Sequence, residues 1–464
     1  MGVGVSHWGL ARSVSALGHL GVVSGTALDQ VLARRLQDGD PGGHVLRALD
    51  HFPFPAMARR VLDAWYVPGG RQPGVPYRRA LDHPVDASPE VVEPVIVGNF
   101  VEVFLAREGH QNPVGINYLE KIQLPHLASI YGAMLAGVSY VLMGAGIPLK
   151  IPGVIAALAE HQPATYPLAV KGAPVGEDIV VHFDPKDYLE GEATTLRVPY
   201  FLPIISSHVL AATLLKKASG PVDGFIVEAA IAGGHNAPPR GKLQLDADGE
   251  PIYGERDAVD FEKMRELGAP FWLAGGYGHP EKLQEALALG AAGVQVGTPF
   301  AFCAESGLRE DLKEQVLQLA REGGARAVTD VAASPTRFPF KVLPLDGTLT
   351  EPEVYAARPR ICDLGYLREA YWTENGAVSF RCPAEPPTLY AAKGGDPEEC
   401  AGRKCLCNTL MANIGLAQSR NGGRLEPALL TAGNDVAGLS SFLPEAGLRY
   451  SAADVVRRIV GAAG

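Results

Sequence analysis

One pattern recurs through the first 300 residues: a short apolar run of strand-forming residues, a turn bearing glycine or asparagine, then an amphipathic helical stretch. Seven such runs are countable, at Leu20–Ser24, Pro113–Tyr118, Val138–Met143, Phe201–Ser206, Val222–Glu228, Pro270–Ala274 and Gly293–Val296. Several are apolar without alternation, the mark of strands buried on both faces of a parallel sheet. Helical patterns at Trp8–Leu17, Phe100–Arg107, Gln123–Ala136, Val209–Ala218 and Pro280–Leu289 separate them. Strand and helix in alternation imply right-handed βαβ units, leaving an open doubly wound sheet or an eight-stranded barrel.

The placement of glycine decides between the two. A dinucleotide-binding sheet needs G-x-G-x-x-G after its first strand. Here Gly144-Ala145-Gly146 is followed by Ile147, Pro148 and Leu149, and no G-x-x-x-x-G-K-[ST] occurs. Glycines gather instead after the last two strands, in Ala274-Gly275-Gly276-Tyr277-Gly278 and Val296-Gly297-Thr298. A (β/α)₈ barrel binds phosphate at those turns, with bare backbone N–H groups facing the anion. The expected fold class is therefore α/β, a (β/α)₈ TIM barrel.

Other features bound the organisation. Residues 38–95 hold DGDPGG, FPFP and VPGGRQPGVP, which predicts an irregular insertion. Residues 165–198 alternate apolar and polar, which predicts a small β excursion. The barrel is expected over 1–310, and 311–464 as a helical and irregular C-terminal extension with a cysteine cluster, helical at 310–322. Net charge is −10, against a nucleic-acid binder. The uncharged run Leu127–Leu149 is long enough to span a bilayer, yet its glycines, serines and proline divide it into a helix and a strand. No signal-peptide pattern opens the chain. The expectation is a cytoplasmic protein with no membrane partner, oligomeric state left open.

The segment Glu228-Ala229-Ala230-Ile231-Ala232-Gly233-Gly234-His235 carries the sharpest chemistry. Gly233 and Gly234 let the backbone turn tightly or pass against a flat ring. They leave His235 at the barrel mouth, and an imidazole is a natural general base near neutral pH. Arg240 and Lys242, just beyond, read as a solvated loop face or an attraction for anions. Cys382, Cys400, Cys405 and Cys407 read as reduced structural thiols, with a Cys₄ metal site or a redox disulfide as alternatives. The working expectation is no metal.

AGGH after one strand, AGGYG after the next and GVQVGT after the last resemble the nitronate monooxygenase (2-nitropropane dioxygenase) family of FMN-binding barrels. The resemblance extends to SALGHLGVVSG (15–25), PVGIN (113–117) and VLMGAGIP (141–148), so it covers about residues 1–310. Related barrels serve as trans-acting enoyl reductases in fatty-acid and polyketide synthesis. The resemblance implies FMN as cofactor and His235 as the base removing the α-proton of a nitroalkane. It implies Asn117 hydrogen-bonded to the flavin, Gly233 and Gly234 against it, and Gln295 pointing to it. Gly275, Gly276, Gly297 and Thr298 would cradle the phosphate, and Met1, Gly2 and Val3 would contact the ring by backbone. Some relatives carry a lysine where this chain has Ser206-Ser207-His208, so the Ser206 hydroxyl stands there for the cofactor. Matching Met1 to the segment after the first strand leaves that strand missing or displaced. The implied function is an FMN-dependent monooxygenase acting on a small molecule and O₂. The alternatives are an NAD(P)H-fed enoyl-thioester reductase and a non-catalytic flavin-binding partner.

Overall fold

The computed structural model describes residues 2–192 and 194–461. Its centre is a seven-stranded parallel sheet: β1 (Gly21–Ser24), β2 (Val114–Leu119), β3 (Tyr140–Gly144), β4 (Tyr200–Ile205), β5 (Phe225–Glu228), β6 (Phe271–Ala274) and β7 (Gly293–Gln295). They pair in sequence order, every neighbour parallel, as βαβ units laid side by side must. All seven apolar runs became strands. The sheet is curled, with residues at the ends of β2 to β7 facing one cavity.

β1 and β7 are the two edges, and no strand of the described residues joins them. The N-terminal segment covers the β1 edge. Ser24 N–H donates to the Ser6 carbonyl at 2.8 Å, and Ser6 Oγ donates to the Val22 carbonyl at 2.6 Å. On its other side the Val5 carbonyl accepts from Gly307 N–H at 2.9 Å, in the chain beyond β7. The gap is thus bridged by irregular backbone, which removes the unpaired edge an open sheet would present.

The uncharged run at 127–149 resolves into the buried helix His126–Leu135 and strand β3. A Cβ added at Gly132 would stand 2.2 Å from the Ile96 carbonyl oxygen, so glycine there lets this helix press on Pro89–Arg107. No helix among the described residues is long and apolar enough to cross a membrane. The insertion holds more order than its prolines predict, with helices His44–Leu49 and Pro55–Trp65 inside it. Pro55 occupies the first helical turn, where a missing N–H costs nothing. The β excursion pairs Ala164–Pro167 antiparallel with Val180–Phe183.

The chain beyond residue 310 shares its core with the sheet unit. Leu312, Val316, Leu430 and Val455 pack with Leu10 and Phe302 in one apolar cluster. Tyr450 hydroxyl donates to the Pro299 carbonyl at 2.6 Å.

Burial also fixes protonation. His126 is 2% exposed, its Nε2 lies 2.8 Å from the Glu120 carbonyl oxygen, and burial pulls its pKa from 6.5 to about 4. Between those values the unfolded chain binds a proton that the folded chain refuses, so stability falls as pH drops through the window. The slope from this one residue is about 1.4 kcal/mol per pH unit. His126→Gln keeps a donor to Glu120 and removes the titration. Urea midpoints of the variant between pH 6.5 and 4 are expected to fall less steeply than those of the parent; parallel curves would contradict this account.

Candidate active site

The C-terminal ends of the strands open on a cavity of about 240 Å³. Asn117 lies in the C-terminal half of β2, Glu228 ends β5 and Gln295 ends β7, and all three line it. Gly2 and Val3 enter from the N-terminal segment, while Gly233, Gly234 and His235 follow β5. Gly275 and Gly276 follow β6, and Gly297 and Thr298 follow β7. Eleven sequence-predicted residues therefore meet at one rim: Gly2, Val3, Asn117, Gly233, Gly234, His235, Gly275, Gly276, Gln295, Gly297 and Thr298. Met1 lies outside the described residues. Ser206 does not line the cavity; its neighbour Ser207 caps the helix His208–Lys217, accepting from Leu210 N–H at 3.2 Å. Arg240 and Lys242 are exposed and take no part in the lining.

The glycine turns leave donors free. Among the described residues, the amides of Gly275, Gly276, Gly297 and Thr298 donate to no other group of the chain. Gly275 and Gly276 take φ of 90° and 76°, the left-handed region glycine enters without penalty. Gly234 takes φ 84°, and a Cβ built there meets nothing within 4 Å, so its Cα face opens on free space. The carboxamides of Asn117 and Gln295 likewise have no partner among the described residues. Four unpaired N–H groups, an open glycine face and two free carboxamides are the donor set a phosphorylated, flat heteroaromatic ligand requires.

The C-terminal extension completes the site, which the sequence reading did not foresee. Gly234 N–H donates to Thr431 Oγ1 at 2.7 Å, and Lys341 N–H donates to the Gly234 carbonyl at 2.8 Å. Asn236 N–H donates to the Pro339 carbonyl at 3.0 Å, and Asn434 N–H to the Ile231 carbonyl at 2.9 Å. Beyond the loop, Gly433 N–H donates to Thr298 Oγ1 at 3.0 Å, tying the extension to the β7 turn as well.

His235 is held on two sides. Its Nε2 lies 2.6 Å from Ser334 Oγ, and its ring meets Phe340 edge-on with centroids 4.9 Å apart. Ser334 Oγ lies 2.8 Å from Thr336 Oγ1, and Lys121 Nζ reaches that hydroxyl at 3.4 Å. A hydrogen-bonded chain thus runs from the imidazole to an ammonium. Burial, with Lys121 adding to it, holds His235 well below its ordinary pKa, so the ring is neutral at pH 7. Nδ1 has no partner among the described residues, so in the tautomer whose Nε2–H donates to Ser334 Oγ it is the nitrogen able to accept a proton. Burial draws Lys121 down to about 7 against the opposing pull of Glu120. It also pushes the Glu228 carboxyl up to about 7. Lys121, Glu228, Ser334 and Thr431 were given no role from sequence. Only Glu228, a carboxyl closing an apolar run at a strand end, carried a local signal.

Residues 178–338 match the family model described as nitronate monooxygenase. The resemblance read in the motifs is borne out over that span. It takes in β4 to β7, the AGGH loop and Ser334. No curated protein matches the chain. Similar solved structures include FabK from Thermotoga maritima, at 15% identity and TM-score 0.48, covering 98% of this chain and 88% of that one. Nitroalkane oxidase from Streptomyces ansochromogenes follows at 16% identity and TM-score 0.47, covering 99% and 92%. The enoyl reductase domain of MlnA from Bacillus amyloliquefaciens has 11% identity and TM-score 0.45, also covering 99% and 92%.

Ser334→Ala removes the partner of His235 Nε2 and leaves a buried nitrogen unsatisfied. The expected loss is about 1–3 kcal/mol of unfolding free energy. Urea denaturation at pH 7.5 measures it, and an unchanged midpoint would show that the 2.6 Å contact holds nothing in place.

Proposed function

We propose that the chain is an FMN-dependent nitronate monooxygenase, converting alkyl nitronates and nitroalkanes with O₂ into a carbonyl compound and nitrite. On this reading β1 to β7 stand for strands two to eight of a (β/α)₈ barrel. Bound FMN would supply the electron acceptor and the reaction with O₂. The amides of Gly275, Gly276, Gly297 and Thr298 would take its phosphate, and Gly234 would lie against its ring system. Asn117 and Gln295 would meet its polar edge, with the backbone of Gly2 and Val3 nearby.

The observation that carries the reading is a neutral imidazole fixed in the same cavity as the free amides. A base must be unprotonated to act, and burial keeps His235 so at pH 7. Nδ1 would take the α-proton of a nitroalkane while Ser334 keeps the ring in orientation through Nε2. The imidazolium so formed would face the new nitronate anion and stabilise it.

One observation favours a second reading, an enoyl-thioester reductase fed by NAD(P)H. Reduction of a conjugated double bond consumes a proton, and Glu228, with its pKa near 7, is an acid in the cavity able to give one. Anaerobic mixing separates the two. Bleaching of the flavin by ethyl nitronate supports the first reading, and rapid bleaching by NADPH with no response to nitronate supports the second.

His235→Ala is expected to lower kcat/KM for a neutral nitroalkane by about 10²–10⁴-fold, with a much smaller loss for the pre-formed nitronate. Because the imidazole pKa is depressed, the acidic limb of the parent's kcat/KM profile should fall below pH 6.5. Equal losses on both substrates, or a limb above 6.5, would remove His235 from the role of base.

A further inference from the structure

Among the described residues, Asp435 is the one acidic side chain that the extension sends into the main cavity. It lies near the start of the 3₁₀ segment Asn434–Phe442, directly after two residues whose backbone is tied down. Gly433 N–H donates to Thr298 Oγ1 at 3.0 Å, and Asn434 N–H to the Ile231 carbonyl at 2.9 Å. A Cβ built on Gly433 would stand 2.6 Å from Asp435 Oδ1 and 3.0 Å from Thr298 Oγ1. The bare glycine is thus what admits the carboxyl to the β7 turn, beside the free amides of Gly297 and Thr298.

Asp435 Oδ1 is buried and has no hydrogen-bond partner among the described residues. Burial pushes the carboxyl above its ordinary pKa, with the Thr298 hydroxyl and His279 opposing the rise. A buried acceptor without a donor is costly, so one that lines a cavity points to a donor brought by the ligand. The chemistry of a flavin mononucleotide narrows which donor that is. Its phosphate offers a carboxylate only acceptors and like charge. Its ring N–H lies on the polar edge assigned to Asn117 and Gln295. The hydroxyls of the ribityl chain remain, and that chain ends in the phosphate gripped at the same turn.

We propose that Asp435 accepts a hydrogen bond from a ribityl hydroxyl, so that the extension holds the cofactor itself as well as the loop bearing His235. The inference rests on the flavin reading of the cavity. It adds a contact from outside residues 178–338, the span the family model matches.

Fluorescence-quenching titrations of the flavin-free chain with FMN, riboflavin and lumiflavin test it. Lumiflavin carries the same ring with a methyl group in place of the ribityl chain. Asp435→Ala should weaken FMN and riboflavin alike, by about tenfold or more, and leave lumiflavin unchanged. Asp435→Asn keeps the shape and an acceptor oxygen without the charge, so it should lose less of the same two affinities. It also serves if circular dichroism shows the alanine variant unfolded. A change confined to FMN, in either direction, would place Asp435 against the phosphate instead. An equal change for all three ligands would make its role structural, and unchanged affinities would leave it without a contact. Each of these results would overturn the proposal. The parent judges the flavin reading separately: failure to bind any of the three removes reading and proposal together, whereas binding with one of the contrary patterns removes the proposal alone.

Discussion

The grip of the C-terminal extension on the loop between Ile231 and Asn236 is the constraint on which the site depends. Two adjacent glycines give that loop its freedom to turn, and the same freedom would let His235 wander. Backbone or hydroxyl partners at Thr431, Lys341, Pro339 and Asn434 remove it, each within 3.0 Å. Gly233 shows how close the approach is, for an added Cβ there would stand 2.8 Å from the Ala432 carbonyl carbon. The sheet supplies the position of the site and the extension supplies its shape. Ser334 and Phe340, which hold the imidazole, belong to the extension.

Electrostatics follow from the same closure. Covering the strand ends withdraws His235, Lys121 and Glu228 from water, and the charged form of each becomes costly. The imidazole is thereby kept neutral, while the ammonium and the carboxyl are both brought to about 7. Lys121 and Glu228, which would otherwise titrate far apart, are brought to the same pH, while the imidazole stays neutral across it. The hydroxyls of Ser334 and Thr336 connect His235 to Lys121, so exchanging either will disturb the other.

The parts of this arrangement legible in the sequence are those written in local pattern. Seven apolar runs, several of them without alternation, became seven parallel strands, as burial on both faces of such a sheet favours. Gly275, Gly276, Gly297 and Thr298 announced themselves by clustering after the last strands. Ser334, Thr431 and Gly433 could not, since they lie 99 to 197 residues from the loop or turn they serve and nothing local marks them. Ser206 illustrates the single-residue sensitivity of a strand end, where the next hydroxyl, Ser207, went to cap a helix. The N-terminal bridge across the sheet gap was equally hidden, because Val5 and Ser6 contribute backbone carbonyls that any residue carries, with only the Ser6 hydroxyl added.

The account turns on the four free amides gripping a phosphate, and comparison of FMN with riboflavin tests that most directly. Riboflavin has the same ring and ribityl chain without the phosphate. Fluorescence-quenching titrations of the flavin-free chain should give a Kd for riboflavin at least about tenfold weaker than for FMN, a difference of about 1.4 kcal/mol. Equal affinities, with the phosphate contributing nothing, would contradict it.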